Sequence, residues 1–480
     1  MAYTTIDKHS SHFEISQWAG DGGTQNITNH NFQPDRILLK SRATGDGWTL
    51  QDSVRGFGST TKLSPYDTSG PNDSSGGSWG NYGYLSQALT NGFTTVAGSN
   101  PGQNNKSGNN YVGYSQLAGG TAPTQTYTVK VVSDSGNKYR FDDFGTSAVT
   151  LDLQEGGTYT FDSSDSTVNS HPFVLGTSSG VDGSYDTGVT YKLDGVTKTY
   201  SQYTSGFSSA SSRQLIITVA ASAPTLYYNC SVHSVMGGAI NTNSTFGSSN
   251  FKGTLQTKVS SNTAAGFSIV TWAGATGGSI GHGLGGTPGM WCIKNLSSNS
   301  SNHIVYHRGC SSGYFLKWNL ANAQDNANNY MTSQDADKLV FTGSNHAANS
   351  SGSNFVGYFW REIPGFSRMG RYQGNGSTNG TYVFCGFKPR VLMIKRLGSS
   401  DEWRIYDDQR EDFDGNQISK TMYPSTTTAE ANDTGSGVDF LSNGFKMRSS
   451  SVGANGSESY AFWAIGQTQV SSNNIPSTAF

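Results

Sequence analysis

The sequence predicts an all-β protein of serial sandwich modules, jelly-roll-like in their strand pattern, with one Greek-key sandwich of another kind set among them. Three observations carry this. First, only 34% of the 480 residues are hydrophobic and 13% charged, yet 12% are aromatic, a content that disordered chains lack. Second, no segment sustains a 3.6-residue apolar stripe, whereas short alternating runs bounded by glycine-rich turns recur throughout. Third, one set of motifs returns three times in the same order, in a chain too long for a single compact domain.

Each repeat opens on an aromatic strand ending in glycine: "FEISQWAG" (Phe13 to Gly20), "FSIVTWAG" (Phe267 to Gly274) and "FSRMGRYQG" (Phe366 to Gly374). A proline then stands six residues before a lysine, in "PDRILLK" (Pro34, Lys40), "PGMWCIK" (Pro288, Lys294) and "PRVLMIK" (Pro389, Lys395). Each of these predicts an apolar strand ending in a cation. Trp48 and Trp403 both lie eight residues past that lysine and lead into Asp52-x-x-Arg55 and Asp407-x-x-Arg410. The second copy reads "HIVYHRGC" there and has lost both charges. "LTNGF" and "LSNGF" place a hairpin turn at matching positions, and "NNYVGY", "SNFVGY" and "ESYAFW" close the repeats. The resulting division is a first repeat over 1–120, an unrelated insert over 124–250, a second repeat over 264–363, a third over 364–467 and a polar tail over 468–480. Because "REIPGF" joins the last two repeats without a flexible linker, a rigid rod or a tightly stacked pair is expected.

A formal charge of −2, from 31 basic and 33 acidic residues, supplies no field for nucleic acid. "MAYTTIDKHSSHF" has no apolar core of the signal-peptide kind, and no run is long enough to span a membrane, so no membrane insertion is expected. Four cysteines in a chain of this length do not make a disulfide scaffold, which points to synthesis and folding in a cytoplasm.

The insert reads as strands ("TYTVKVV", "HPFVLG", "RQLIITV", "TLYYNC") and ends in "YYNCSVHSVMGG". Cys230, His233 and Met236 form a Cys-x-x-His-x-x-Met loop, and His171 lies 59 residues before Cys230. A thiolate, two imidazoles and a weak thioether suit copper. This pattern resembles the cupredoxins, the short-loop ones in particular. The resemblance implies a cupredoxin-like Greek-key sandwich with His171, Cys230 and His233 as equatorial ligands and Met236 as the axial one. The other reading keeps the sandwich as architecture with Cys230 as a small core residue and no required cofactor.

The remaining candidates point to structure. Cys292 falls where the other repeats have Leu38 and Met393, a core position; Cys310 and Cys385 have no partner at a ligand spacing. His303 and His307, four apart on a strand, sit about 13 Å apart and cannot share a metal. "DFDGN" (Asp412 to Asn416) reads as a hairpin turn, its glycine coming too early for a calcium loop. The Asp-x-x-Arg pairs are expected to be exposed or half-buried ion pairs. No catalytic constellation stands out, so no enzyme is predicted.

The phrases "GHGLGGTPGMWCIKN", "GFSRMGRYQGNGSTNGTYVFCGFKPRVLMIKR", "DFLSNGFKMR" and "SSNNIPSTA" together resemble a family of virion structural proteins of marine tailed bacteriophages, often tail-fibre-like. That resemblance implies a virion component released by lysis, a tail fibre or similar appendage, with head decoration and a copper redox module as the alternatives. Its expected partners are copies of itself, as a homo-oligomer, and other virion proteins. Host surface glycans would be met by aromatic loops such as Ser74 to Tyr84.

Overall fold

The computed structural model describes residues 4–71, 79–243, 245–410, 417–432, 435 and 437–467. The fold is all-β, built from antiparallel sandwiches, with a single α-helix (Tyr200–Gly206) among the described residues. No helix among the described residues is long and apolar enough to cross a membrane.

Each repeat is one sandwich with the same strand order. In the first, an inner sheet runs Phe13–Ala19, Asn110–Gln116, Arg36–Ser41, Thr49–Asp52, and an outer sheet runs Thr24–Ile27, Gly92–Val96, Tyr84–Leu89. The third repeats this with Ser367–Gln373, Ser459–Gln467, Lys388–Arg396 and Arg404–Asp407 inside, and Tyr382–Phe384, Gly444–Met447, Val438–Leu441 and Gln417–Ile418 outside. The second has Phe267–Ala273, Asn354–Trp360, Met290–Asn295 and Ile304–His307 inside, over Ser279–Gly281, Lys338–Phe341 and Met331–Gln334. Its inner sheet is extended by Thr257–Asn262 and Ser248–Asn250, the chain arriving from the insert.

The apolar runs read from the sequence are continuous because both faces of the inner sheets are buried. All six residues of Arg36–Ser41 and of Met290–Asn295 are buried. One face packs on the repeat's own outer sheet: Ile37, Leu39 and Tyr111 meet Phe93 and Leu85. The alternate face (Leu38, Val112 and Tyr114; Cys292, Val356 and Tyr358; Met393, Ala461 and Trp463) joins one core shared by all three repeats. The glycine after each opening strand is required by crowding, since a Cβ would stand 2.3 Å from the Lys106 carbonyl oxygen at Gly20, 2.4 Å from that of Ser350 at Gly274 and 2.1 Å from that of Gly456 at Gly374.

The expected rod or stacked pair is thus replaced by a closed arrangement. Lys40 of the first repeat donates to the Thr427 carbonyl of the third (3.0 Å), Lys395 of the third to Ala321 of the second (2.8 Å), and Lys294 of the second to Thr68 of the first (2.6 Å). The tryptophan position follows the same circuit. Trp48 Nε1 donates to Tyr423 O and Trp403 Nε1 to Lys317 O, while His303, their counterpart in the second repeat, lies against the Ser64 backbone. Each contact runs first to third, third to second and second to first. The three sandwiches therefore close a pseudo-threefold ring.

The insert is a separate sandwich. One sheet runs Leu151–Gln154, Gly238–Asn243, Leu226–Cys230, Phe173–Gly176; the other runs Val196–Lys198, Val189–Leu193, Arg213–Thr218, Thr158–Asp162, Thr124–Ser133, Asn137–Phe141. Its core is an aromatic stack that includes Phe161, Phe173 and Tyr228.

The Asp-x-x-Arg pairs depart from expectation. Asp407 and Arg410 are both fully buried, as is Asp52 beside a nearly buried Arg55. Each carboxylate accepts a hydroxyl from the neighbouring repeat, Asp407 from Tyr114 and Asp52 from Tyr358, at 2.7 Å in both cases. They are seam residues, which strand periodicity alone could not reveal because both faces of these strands are covered.

Candidate metal centre

His171, Cys230 and His233 converge. Strand Phe173–Gly176 pairs antiparallel with Leu226–Cys230 in a register that sets Phe173 opposite Cys230, so His171, two residues earlier, is carried to the mouth of the Cys230 loop. Ser231 N–H donates to the Pro172 carbonyl (3.0 Å), tying the two segments together. The loop turns back into Gly238–Asn243 through Gly237, where a Cβ would lie 1.6 Å from the Tyr228 carbonyl oxygen. Val235 takes φ +57, a left-handed conformation costly for a β-branched residue, roughly 1–3 kcal/mol.

The two Nδ1 atoms lie 3.1 Å apart, and Cys230 Sγ is 3.9 Å from that of His171 and 3.7 Å from that of His233. These are the separations that metal bonds of about 2.0 Å to nitrogen and 2.3 Å to sulfur subtend at roughly 100–130°. The donor set and its spacing therefore fit a near-trigonal site for a soft, imidazole-tolerant ion. Val232 N–H points at the sulfur (3.5 Å), and Tyr139, buried beside the thiol, donates its hydroxyl to the His171 carbonyl (2.9 Å). Asn137 Nδ2 approaches the outer nitrogen of His171 at 3.4 Å, an outer-shell contact that orients a ligating ring. Burial, and then the neighbouring His233, lower the His171 pKa and favour the neutral imidazole a metal needs.

Burial is graded across the site. His171 and Cys230 are buried and His233 is exposed, beside Val232 and Val235 at 61% and 73% exposure. An ion would enter from the His233 side. Met236 is buried in the insert's core, its carbonyl accepting the Tyr139 N–H. Among the described residues this is the one cluster of three or more potential ligands drawn from His, Cys, Asp and Glu.

The other sequence candidates lie elsewhere. Cys292 is in the shared core, and burial pushes its thiol, like those of Cys310 and Cys385, up to about 12. His303 and His307 are buried at the ring's seams. "DFDGN" falls outside the described residues, and so do Ser74 to Ser78 of the aromatic loop. Sequence reasoning missed the Tyr114–Asp407 and Tyr358–Asp52 seam bonds.

Residues 8–141 and 227–468 match the family model described as Domain of unknown function (DUF7483). The chain belongs to this family. No curated protein and no solved structure matches. The DUF7483 match covers nearly all of the ring and stops within the insert. Cys230, His233 and Met236 fall inside it, and His171 falls in the unmatched 142–226.

Proposed function

We propose that the protein is a non-enzymatic structural component of a tailed-phage virion, a tail fibre or tail-associated appendage whose outer loops meet the host surface. The resemblance of the repeat motifs to virion structural proteins motivates the reading. One observation carries it: the residues that recur at the lysine, tryptophan and Asp-x-x-Arg positions are spent in seams between repeats. A family of side chains selected for holding three sandwiches together suits a rigid building block. Antibody labelling of purified virions is expected to decorate the tail. Label on the head would favour capsid decoration instead, and absence from purified virions would remove the reading altogether.

The convergence of His171, Cys230 and His233 favours a second, compatible role for the insert, binding copper with Met236 as the axial donor. Bound copper would supply one-electron redox chemistry. The chain's part is to hold the Cys230 sulfur dry, present two imidazoles and leave His233 at the surface. Cu(II) added to the purified protein is expected to give a charge-transfer band at about 600 nm. Cys230→Ala should abolish it. A wild-type protein that neither binds Cu(II) nor develops the band would leave the insert as architecture.

A further inference from the structure

The outer sheets of the three repeats can be compared residue by residue at their edge strands. Ile27 pairs with Phe93, Ile280 with Leu339 and Val383 with Phe445, so these three are equivalent and all point inward. Their flanking residues differ. In the first repeat they are Asn26 and Thr28, exposed and polar, the usual way to blunt an edge. In the second they are Ser279 and Gly281, and the chain itself covers them. Leu255 N–H donates to the Ser279 carbonyl (2.9 Å), Ser279 N–H donates to Thr254 Oγ1 (2.8 Å), and Leu255 bridges Ile280 in parallel. In the third they are Tyr382 and Phe384, exposed to 44% and 51%. Among the described residues no strand lies beyond Tyr382–Phe384 in its sheet.

Two exposed aromatic rings flanking a buried valine on an open edge have no role in the repeat's own core. The equivalent edge of the second repeat shows what such a position takes, an extended stretch of polypeptide. The strand is also self-complementary: aromatic, β-branched, aromatic, with uncharged Thr381 and Cys385 on either side. We infer that a second copy of this chain adds antiparallel to Tyr382–Phe384 about a twofold axis at Val383. Tyr382 then lies beside the partner subunit's Phe384, and Phe384 beside the partner subunit's Tyr382, forming the cross-strand aromatic pairs that stabilise sheets. Arg368, whose guanidinium stands over the Phe384 ring at 5.7 Å, and Asn443, which accepts the Tyr382 hydroxyl at 2.8 Å, hold the two rings in place. Because the equivalent edges of the other two repeats are blunted or covered, each chain offers one such repeat edge among the described residues. The product is a closed dimer and not a fibre.

A contact centred on three residues is far smaller than the roughly 800 Å² per partner of a standard interface, so the dimer is weak, with a dissociation constant on the order of micromolar or above. This inference goes beyond the virion reading and does not depend on it. Sedimentation equilibrium of the full chain, from about 1 to several hundred micromolar, is expected to show a monomer–dimer equilibrium. Phe384→Asp should shift it at least tenfold toward monomer by placing like charges across the twofold axis. Thr28→Asp, at the matching place in the first repeat, should leave it unchanged, and unaltered circular dichroism would confirm that both variants fold. A wild type that stays monomeric throughout, or a dimer that Phe384→Asp leaves intact, overturns the proposal. So does a monomer whose Tyr382 and Phe384 instead bind a host-surface saccharide.

Discussion

The seams of the ring are of two kinds. Where the first repeat meets the third, Tyr114 donates to Asp407, which is also held by Arg410. Where the second meets the first, Tyr358 donates to Asp52, which is held by Arg55. At the third seam the aspartate position is His307, the arginine position Cys310 and the tyrosine position Trp463. His307 Nε2 donates to the Phe462 carbonyl (3.0 Å) and its Nδ1 accepts the Gly309 N–H (3.0 Å). A neutral imidazole has one donor and one acceptor, and both are used. The comparison teaches that the charge was replaced as a set. A tyrosine left facing no carboxylate, or an arginine without its aspartate, would strand a polar group in a dry core, so all three positions changed at the one seam.

The difference is sharpest when a cation is removed. Arg410→Ala would leave Asp407 buried without its charge partner and would also break the link from Arg410 to Glu430 (2.9 Å). Loss of one member of such a pair costs about 3–5 kcal/mol. Cys310→Ala, at the corresponding place in the uncharged seam, removes one sulfur and should cost on the order of 1 kcal/mol. Thermal midpoints of the two variants measure the gap. Equal destabilisation would mean that the charged seams are not held by their ion pairs.

Much of the ring was legible before any coordinates. The proline-to-lysine strands, the glycine closing each opening strand and the core position of Cys292 all follow from aligning the repeats. Its closure left a subtler trace. Aspartate occurs in the first and third repeats, and the matching tyrosine in the first and second. Only a circuit from first to third to second to first gives each tyrosine an aspartate and puts the missing tyrosine beside the missing aspartate. The trace is not readable strand by strand, because a pattern within one strand says nothing about which neighbour the strand will face. For the same reason the Asp52 and Asp407 pairs read as exposed or half-buried. The candidate metal site is the converse case. Cys230 and His233 are local in sequence, while His171 could be chosen only because a histidine stood just before a plausible strand. The antiparallel register of Phe173 against Cys230 then supplied the geometry that spacing could not.

A smaller effect separates the seams by pH. Burial holds His307 down at about 4 against an ordinary 6.5, and Arg308 adds to the lowering, while the bond to Phe462 opposes it. The folded state therefore keeps the ring neutral over a range where the unfolded chain takes up a proton. Its stabilising contribution is complete above pH 6.5 and is lost as pH falls through that window toward 4. The loss is at most about 3 kcal/mol. His9, His30 and His282 are lowered to about 4 as well, so the whole protein is expected to weaken on acidification. His307→Gln keeps a donor and an acceptor but cannot titrate. It should remove about one proton from the acid dependence of stability and selectively preserve amide protection along Ser459–Gln467, the strand that carries Phe462 and Trp463. His282→Gln removes an equivalent proton from between the second repeat's two sheets and should leave that strand's acid exchange as it is in the wild type. If both variants protect the strand alike, acid acts on the fold as a whole and not through the uncharged seam.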